Sequence, residues 1–406
     1  MRVSTAFNRI LSIPGAWVES VSFSEAGVVV GLRVRARRLR CRCGWSTRAG
    51  YDSSRRRWRH LDMGACQVWL ESDIRRLDCR RCGRVVTEEL PWARPGARHS
   101  RDFEDVVAWL AQRMDKTSVA KLMRSSWEAV DRVVRLVVAD HLDDSRLEGL
   151  YHLGVDEISY KRGHHYLTVV ADHDAGRVVW VAPGKHSAAL EGFYDALGPT
   201  RRAQVRAVSM DLGSAYRHAT ETAVPHAAIC FDPFHVIQMT NRALDAVYSA
   251  SRHGADGTIT GREWRAARYA LRSAAERLSD NKRDLLNQLR RTRYRLWRAW
   301  ELKERLRDLY RSVDPDEARD HFRRWLRSAS TSRIPAFVNL ARQLRRHFDR
   351  IVAAVEWGLS NSRLEGINAK IRVIQRRGYG HRSPDSLAAM IYLCLGGITI
   401  TLPTQR

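Results

Sequence analysis

Three short runs decide how this chain is read: YHLGVDEISY (Tyr151–Tyr160), HYLTVVAD (His165–Asp172) and RVVWVA (Arg177–Ala182). Each is rich in β-branched and aromatic residues. The turn signals Arg162-Gly163 and Asp174-Ala175-Gly176 separate them, so they predict three strands in a meander. An amphipathic helix over Ser187–Leu197 follows, then an apolar strand at Val205–Met210. A helix near Ser214–Thr222, a strand at Ala227–Phe231 and a helix opened by Pro233 complete the segment. Meandering strands followed by alternating helix and strand is an α/β order. Residues 234–355 then read as almost wholly helical and basic.

Two acids in this segment stand where a cation is wanted. Asp156 lies within Gly154-Val155-Asp156-Glu157, and Asp211 follows Ala207-Val208-Ser209-Met210 and precedes Leu212-Gly213. An acid at a strand end beside Gly projects into the crevice beyond the sheet, where a carboxylate is desolvated unless a metal compensates it. One such Asp is ordinarily a cap or turn residue; two in one module favour a metal. The third acid is Glu365, in Ser360-Asn361-Ser362-Arg363-Leu364-Glu365-Gly366-Ile367-Asn368-Ala369-Lys370. On a helix, Leu364, Ile367, Ile371 and Ile374 form an apolar stripe, and Asn361, Glu365, Asn368 and Arg372 an adjacent polar one. That pattern predicts a helix packed on the sheet with Glu365 at the rim of its buried face. Two aspartates and a glutamate suit two Mg2+ (or Mn2+) ions about 3.5–4 Å apart. Neither a Walker-type loop nor a Gly-x-Ser-x-Gly elbow competes.

Upstream, the first 90 residues read as short strands and turns. Val28–Val34 leads to Cys41-Arg-Cys43, Val68–Cys79 leads to Cys79-Arg-Arg-Cys82, and Pro91, Pro95 and Gly96 mark a linker. Phe103, Val106, Val107 and Leu110 have helical spacing, with Ser100 or Asp102 as cap. Asp115 to Thr117 reads as a turn, and Val119, Leu122 and Met123 fit a short second helix. Ser125 or Ser126 caps a third that buries Val130, Val133, Val134 and Val137. Short helix, tight turn, longer helix is a helix-turn-helix; ordinary helical packing is the other reading.

Composition bounds the function classes. A length of 406 residues suggests two or three domains, and 44% hydrophobic residues exclude a disordered basic tail. The net charge is +25, and 63 of the 70 basic residues are arginine, which suits a polyanion partner. Codon bias in a GC-rich genome is the competing explanation, but the charge is uneven. It is +11 over residues 1–100, +9 over 262–311 and −1 over 151–235. No apolar run reaches membrane-helix length, no secretory signal is apparent, and an odd cysteine count argues against a disulfide framework. Cys230 and Cys394 sit in apolar runs and read as core. Trp297 and Trp300, three apart on a helix, read as core packing rather than base-stacking platforms.

The chain resembles bacterial insertion-sequence transposases of the DDE class, in the ISL-three family. The residues that carry the resemblance are Gly154-Val155-Asp156-Glu157, Ser209-Met210-Asp211, Phe231-Asp232-Pro233-Phe234-His235, Ser360-Asn361 through Glu365-Gly366-Ile367-Asn368, and Arg376-Arg377-Gly378-Tyr379-Gly380. The resemblance implies an α/β multidomain fold: an N-terminal zinc-binding β module, a helix-turn-helix, and a ribonuclease H-like catalytic domain interrupted by a helical insertion. The expected limits are 1–98 for the Cys-rich module, 99–148 for the helix-turn-helix, 149–240 and 356–406 for the two parts of the catalytic core, and 241–355 for the insertion. It implies Asp156, Asp211 and Glu365 as the catalytic, metal-binding triad, and structural Zn2+ on Cys41, Cys43, Cys79 and Cys82. The first cysteine pair has one intervening residue instead of two, so His60 or Cys66 is an alternative ligand, and buried free thiols are the bland reading. Asp232 and His235 match a family motif, with a buried helix-start Asp and a structural His as the plain alternative. Lys121, Arg124, Arg132, Arg372, Arg376 and Arg377 are the expected DNA contacts. The implied activity is Mg2+-dependent cleavage and strand transfer at an element's terminal inverted repeats, on double-stranded DNA, by a homodimer or larger assembly. The expected location is the bacterial cytoplasm, at the nucleoid when DNA-bound. A DNA-binding transcriptional regulator with a non-catalytic α/β domain is the alternative. It explains the basic ends but not the placement of the three acids.

Overall fold

The computed structural model describes residues 2–405 except 26, 162, 213–214, 254–260 and 360–361. The chain divides into two compact units, Met1–Asp143 with Ile374–Arg406, and Asp144–Val373.

The first unit opens with α1 (Val3–Leu11) and the strands β1 (Ala16–Ser24), β2 (Gly27–Val34), β3 (Leu39–Arg40), β4 (Ser46–Thr47), β5 (Asp52–Met63), β6 (Cys66–Cys79) and β7 (Arg84–Thr87). Its main sheet has the order β1-β2-β6-β5, with β7 on the far end of β6. Alternation explains the central pair: Val28, Val30 and Leu32 of β2 and Val68 and Leu70 of β6 are buried on one face. The first 90 residues therefore contain two long elements that the sequence reading missed, α1 and β5. Strand β5 carries Arg55-Arg56-Arg57, a charged run without apolar alternation. Antiparallel pairing with β6 sets Arg55 against Asp73 and Arg57 against Glu71, so the charges are matched across the ladder.

Three helices follow: α2 (Arg101–Ala111), α3 (Lys116–Leu122) and α4 (Trp127–His141). Each has the side-chain cap its sequence offers, Ser100 to Phe103 N, Asp115 to Ser118 N and Ser126 to Ala129 N. Val130, Val133, Val134 and Val137 are buried, as their spacing requires. Arg94 in the preceding linker is buried and bonded to Glu104, Asp105 and Asp140, which ties the linker to α2 and α4.

The second unit is built on β8 (His152–Lys161), β9 (His165–Asp172) and β10 (Arg177–Pro183), then α5 (Ser187–Arg202), β11 (Ala207–Met210), α6 (Tyr216–Ala223), β12 (Ala228–Phe231) and α7 (Pro233–His253). These elements match the expected ones to within a few residues. Helix α5 runs past Leu197, restarting at Pro199 after Gly198, whose φ is 70°. The expected start of the next helix, Ser214, and the turn residues Arg162 and Gly213 lie outside the described residues. The sheet order is β10-β9-β8-β11-β12, with β8 antiparallel to β9, β9 to β10, and the last two strands parallel to β8. Helices α8 (Gly261–Arg272), α9 (Asp280–Thr292), α10 (Tyr294–Asp308), α11 (Pro315–Ser330), α12 (Pro335–Arg345) and α13 (Phe348–Glu356) occupy the stretch expected to be helical. Their apolar faces continue the core of the sheet, and Trp297 and Trp300 pack against it. Cys230 is buried in the core, and Cys394 is half-buried.

Helix α14 (Ser362–Arg377) follows, with the unit boundary at Val373, and α15 (Pro384–Leu395) belongs to the first unit, where it packs on α4. The division thus separates 374–406 from the residues around Glu365, whereas the sequence reading kept 356–406 together.

Candidate active site

Strand register builds the site. Strand β11 pairs with β8 through Ser209↔Gly154, so two residues further on Asp211 comes level with Asp156. Strand β12 pairs with β11 through Met210↔Phe231, so the next step brings Asp232 level with Asp211. Three aspartates therefore stand side by side along three neighbouring parallel strands, which lie about 4.8 Å apart. This is the crevice beyond the carboxyl ends of β11 and β12, the usual ligand position in an open α/β sheet.

The three carboxylates have different surroundings. Asp232 is buried and caps α7: one oxygen accepts from Phe234 N at 3.2 Å, the other from His235 Nδ1 at 3.0 Å. The same Nδ1 lies 2.9 Å from Asp211 Oδ1, and the two carboxylates, Asp211 first, push the imidazole up to about 10, so it is an imidazolium at neutral pH. The hydrogen bond is aligned on Asp232. Asp211 Oδ1 receives charge without an aligned donor and is a buried oxygen with no hydrogen bond. Asp156 Oδ1 accepts from the backbone of Glu157 at 2.7 Å, and its Oδ2 from the amide of Asn368. Burial, and next the charge of Asp211, push Asp156 up to about 6. Asp156, Asp211 and His235 line one open cavity of about 640 Å³.

The fit to a divalent cation rests on these observations. Two carboxylates repel one another in a partly desolvated cleft, and the buried Asp211 oxygen has no aligned hydrogen bond. Hard oxygen donors so placed suit Mg2+ or Mn2+.

The glycine, serine and asparagine of the motifs have local reasons. A β-carbon on Gly154 would overlap Leu364 Cδ1 and come within 2.7 Å of His173 Nε2, so only glycine lets α14 sit this close to β8. Ser209 Oγ shares a 2.7 Å hydrogen bond with that His173 nitrogen. Leu364, Ile367, Ile371 and Ile374 are buried, as the stripe predicted, and Asn368 one turn beyond Leu364 reaches Asp156. Glu365 is exposed on α14, three residues before Asn368; the structure does not bring it to the carboxylate–imidazole group around Asp211. Asn361 lies outside the described residues. Sequence reasoning left Asp232 and His235 open, although their spacing of three at a helix start was the available signal.

The cysteines converge in the first unit. The sulfurs of Cys41, Cys43, Cys79 and Cys82 all lie within 4.8 Å of one another, with Cys41–Cys82 at 3.9 Å and Cys43–Cys79 at 3.5 Å. Four sulfurs about 2.3 Å from a tetrahedral zinc would be about 3.8 Å apart. The cluster therefore fits zinc, and the single-residue spacing is no obstacle. The residues after each pair, Gly44 and Gly83, have φ of 90° and 63°, which turns each knuckle back on itself. His60 and Cys66 stand outside the group: His60 is buried on Ser100, and Cys66 is exposed at the start of β6.

Residues 153–391 match the DDE transposase family ISL3, and residues 88–138 match the helix-turn-helix domain of transposase family ISL3. The chain belongs to the ISL3 family of transposases. Among its relatives is the transposase for insertion sequence element IS1557 of Mycobacterium tuberculosis, 39% identical over all of this chain and 98% of that protein. Another is the transposase for insertion sequence element IS1001 of Bordetella parapertussis, 27% identical over 93% of this chain and 95% of that one.

The family's helix-turn-helix match contains α2, α3 and most of α4. Lys121, Arg124 and Arg132 are all exposed there. Arg124, at φ 49° in the turn between α3 and α4, donates to Ala65 O at 2.7 Å and pairs with Asp62, so it also braces the β5–β6 turn. In α14, Arg372 and Arg376 are exposed, whereas Arg377 donates to Ala111 O and Gln112 O, both at 2.9 Å. Those are free carbonyls at the end of α2, so Arg377 acts as a helix cap in this structure. Among the described residues no helix is long and apolar enough to cross a membrane.

Proposed function

We propose that this insertion-sequence transposase binds the terminal inverted repeats of its element and cuts and rejoins DNA there through a divalent-metal site of Asp156, Asp211 and Glu365. The observation that carries this reading is the level placement of Asp156 and Asp211 on adjacent parallel strands, with a buried Asp211 oxygen that lies beside the His235 imidazolium without an aligned hydrogen bond. The strand order β10-β9-β8-β11-β12 supports a ribonuclease H-like core, and the helices between α7 and α14 support an insertion within it.

Each of the chain's own groups has a part. Asp232 holds His235, and His235 sets the position of Asp211. Asn368 and the Glu157 amide fix the two oxygens of Asp156. Glu365, on the same helix as Asn368, supplies the third carboxylate. Two divalent ions held by these acids would activate the attacking oxygen and stabilise the leaving one during in-line displacement at phosphorus. The four-cysteine cluster holds a structural zinc that orders the N-terminal module. Helix α4 enters the major groove, with Lys121, Arg124 and Arg132 on phosphates and base edges, and Arg372 and Arg376 are separate DNA contacts.

Linear DNA carrying the element's ends, incubated with the protein and Mg2+ or EDTA, tests the reading. Mg2+-dependent nicking or strand transfer is expected. Asp156→Asn should lower it by about 1,000-fold or more while DNA binding persists. Undiminished cleavage by that variant refutes the assignment.

A further inference from the structure

The cavity that holds Asp156 and Asp211 also holds two cations that no carboxylate among the described residues neutralises. Lys185 lies between β10 and α5, and Arg242 is on α7; both are exposed and both line this cavity. Neither has a carboxylate within ion-pair distance among the described residues, although other arginines of the unit are matched, Arg272 with Asp245 and Arg307 with Glu276 and Glu304. Both cations are nevertheless held in place. Lys185 Nζ lies 4.1 Å from the centre of the Tyr166 ring, and Arg242 Nη2 donates to Gln238 Oε1 at 3.2 Å.

Spacing gives the pair a direction. His235, Gln238 and Arg242 are at i, i+3 and i+7 of α7 and all face the cavity, so they form one stripe along the helix. Seven residues cover about 10 Å of helix axis. A DNA strand rising about 3.4 Å per nucleotide covers that length in roughly three nucleotides. A phosphodiester beside Asp211 would therefore have a phosphate roughly three nucleotides along the same strand within reach of Arg242. Unpaired, braced cations next to paired carboxylates match an anion that bridges them, and a guanidinium is suited to phosphate oxygens.

We propose that Lys185 and Arg242 hold backbone phosphates within a few nucleotides of the scissile one, positioning a single DNA strand across the carboxylates. This rests on the reading of Asp156 and Asp211 as the cleavage site. Both residues are positioning residues, and they act after the helix-turn-helix has bound the repeat.

The test uses the full chain with Mg2+ and duplexes carrying the element's ends, each with one methylphosphonate at a different position within a few nucleotides of the cut. Arg242→Ala and Lys185→Ala should slow cleavage at saturating DNA by about 10- to 100-fold, with affinity changed less than about 3-fold. Arg242→Lys and Lys185→Arg should recover most of the rate. At one flanking position the methylphosphonate should slow the wild type by about 10-fold and leave the matching alanine variant no slower, the non-additivity expected of groups in contact. The proposal is overturned if the alanine variants cut like wild type, or if every methylphosphonate slows wild type and variants by the same factor. Asp156→Asn keeps the two readings apart. If it still cuts, the cleavage-site assignment falls; if it is inactive while the alanine variants are normal, only the phosphate track falls.

Discussion

At the residue scale, the motif GVD owes its glycine to a contact made by a segment more than two hundred residues away. Gly154 lies under Leu364, and through that contact α14 delivers Asn368 to Asp156. In Gly154→Ala the added methyl has no free space, and overpacking of this kind costs about 1–3 kcal/mol. Chemical denaturation should show that loss. Cleavage should fall further than the loss of folded protein explains, because the helix carrying Asn368 and Glu365 is displaced. Normal cleavage by a folded Gly154→Ala protein contradicts this account. Lys116 shows the same logic inside the first unit. It is buried, bonded to Asp131 and, at 2.9 Å, to Ser386 Oγ. Lys116→Ala leaves a buried carboxylate without its cation, and about 3–5 kcal/mol of stability should be lost in a denaturant titration. A loss below about 1 kcal/mol would show that Arg135, which also pairs with Asp131, suffices.

At the element scale, two knuckles and a small sheet make the zinc site. Cys41 to Cys43 turns at Gly44 beside the β3–β4 ladder, and Cys79 to Cys82 turns at Gly83 between β6 and β7. The apolar surround is thin, with Leu39 and Leu77 as its fully buried aliphatic members, so a bound metal would contribute much of the order here. The purified protein should contain one zinc per chain. Cys79→Ser should contain none and unfold its N-terminal module at lower temperature in calorimetry; an unchanged metal content refutes the site.

A pH effect belongs to the elements around α2–α4. His99 and His381 are both pushed down to about 4, chiefly by burial. Arg59, Arg98 and Arg132 act on His99; Lys116 and Arg377 act on His381, opposed by Asp131 and a carbonyl of Ile374. The unfolded chain takes up protons near the ordinary histidine value of about 6.5, whereas the folded unit does not until about 4. Stability therefore falls as pH drops through that window and is fully present above it. The melting temperature of the protein should decline from pH 7 to pH 4, and His99→Gln should flatten part of the decline. A curve unaffected by that substitution speaks against the assignment.

At the scale of the whole molecule, a charge of +25 is expected to act through phosphate contacts. With six or more phosphates neutralised, binding should weaken by about 1,000-fold between 50 and 200 mM salt. Filter binding or fluorescence anisotropy on repeat DNA checks this, and a flat salt response contradicts it. The arginine excess has a second role that the total charge conceals. Many guanidiniums are matched within the fold, as Arg55, Arg57 and Arg94 are, so those that stay unpaired in a cleft are the informative ones.

The sequence alone determined the local elements: strands where β-branched residues alternate, helices where apolar residues recur every three or four positions, and caps at Ser100 or Asp102 and at Ser125 or Ser126. It also pointed to Asp156 and Asp211 by their strand-end positions and, through the family resemblance, to the four cysteines. It did not reveal β5, whose arginines look solvated until cross-strand partners are assigned, nor α1. Only the tertiary structure decided which groups meet. Strand register set Asp156, Asp211 and Asp232 level, and made His235 a charged partner of two of them. Helix packing chose Asn368 to touch Asp156 and left Glu365 exposed. It also turned Arg377 from an expected DNA contact into a helix cap. The physical reason is the same in each case: period and propensity act over a few residues, whereas a desolvated charge is settled by whichever partner the fold brings to it.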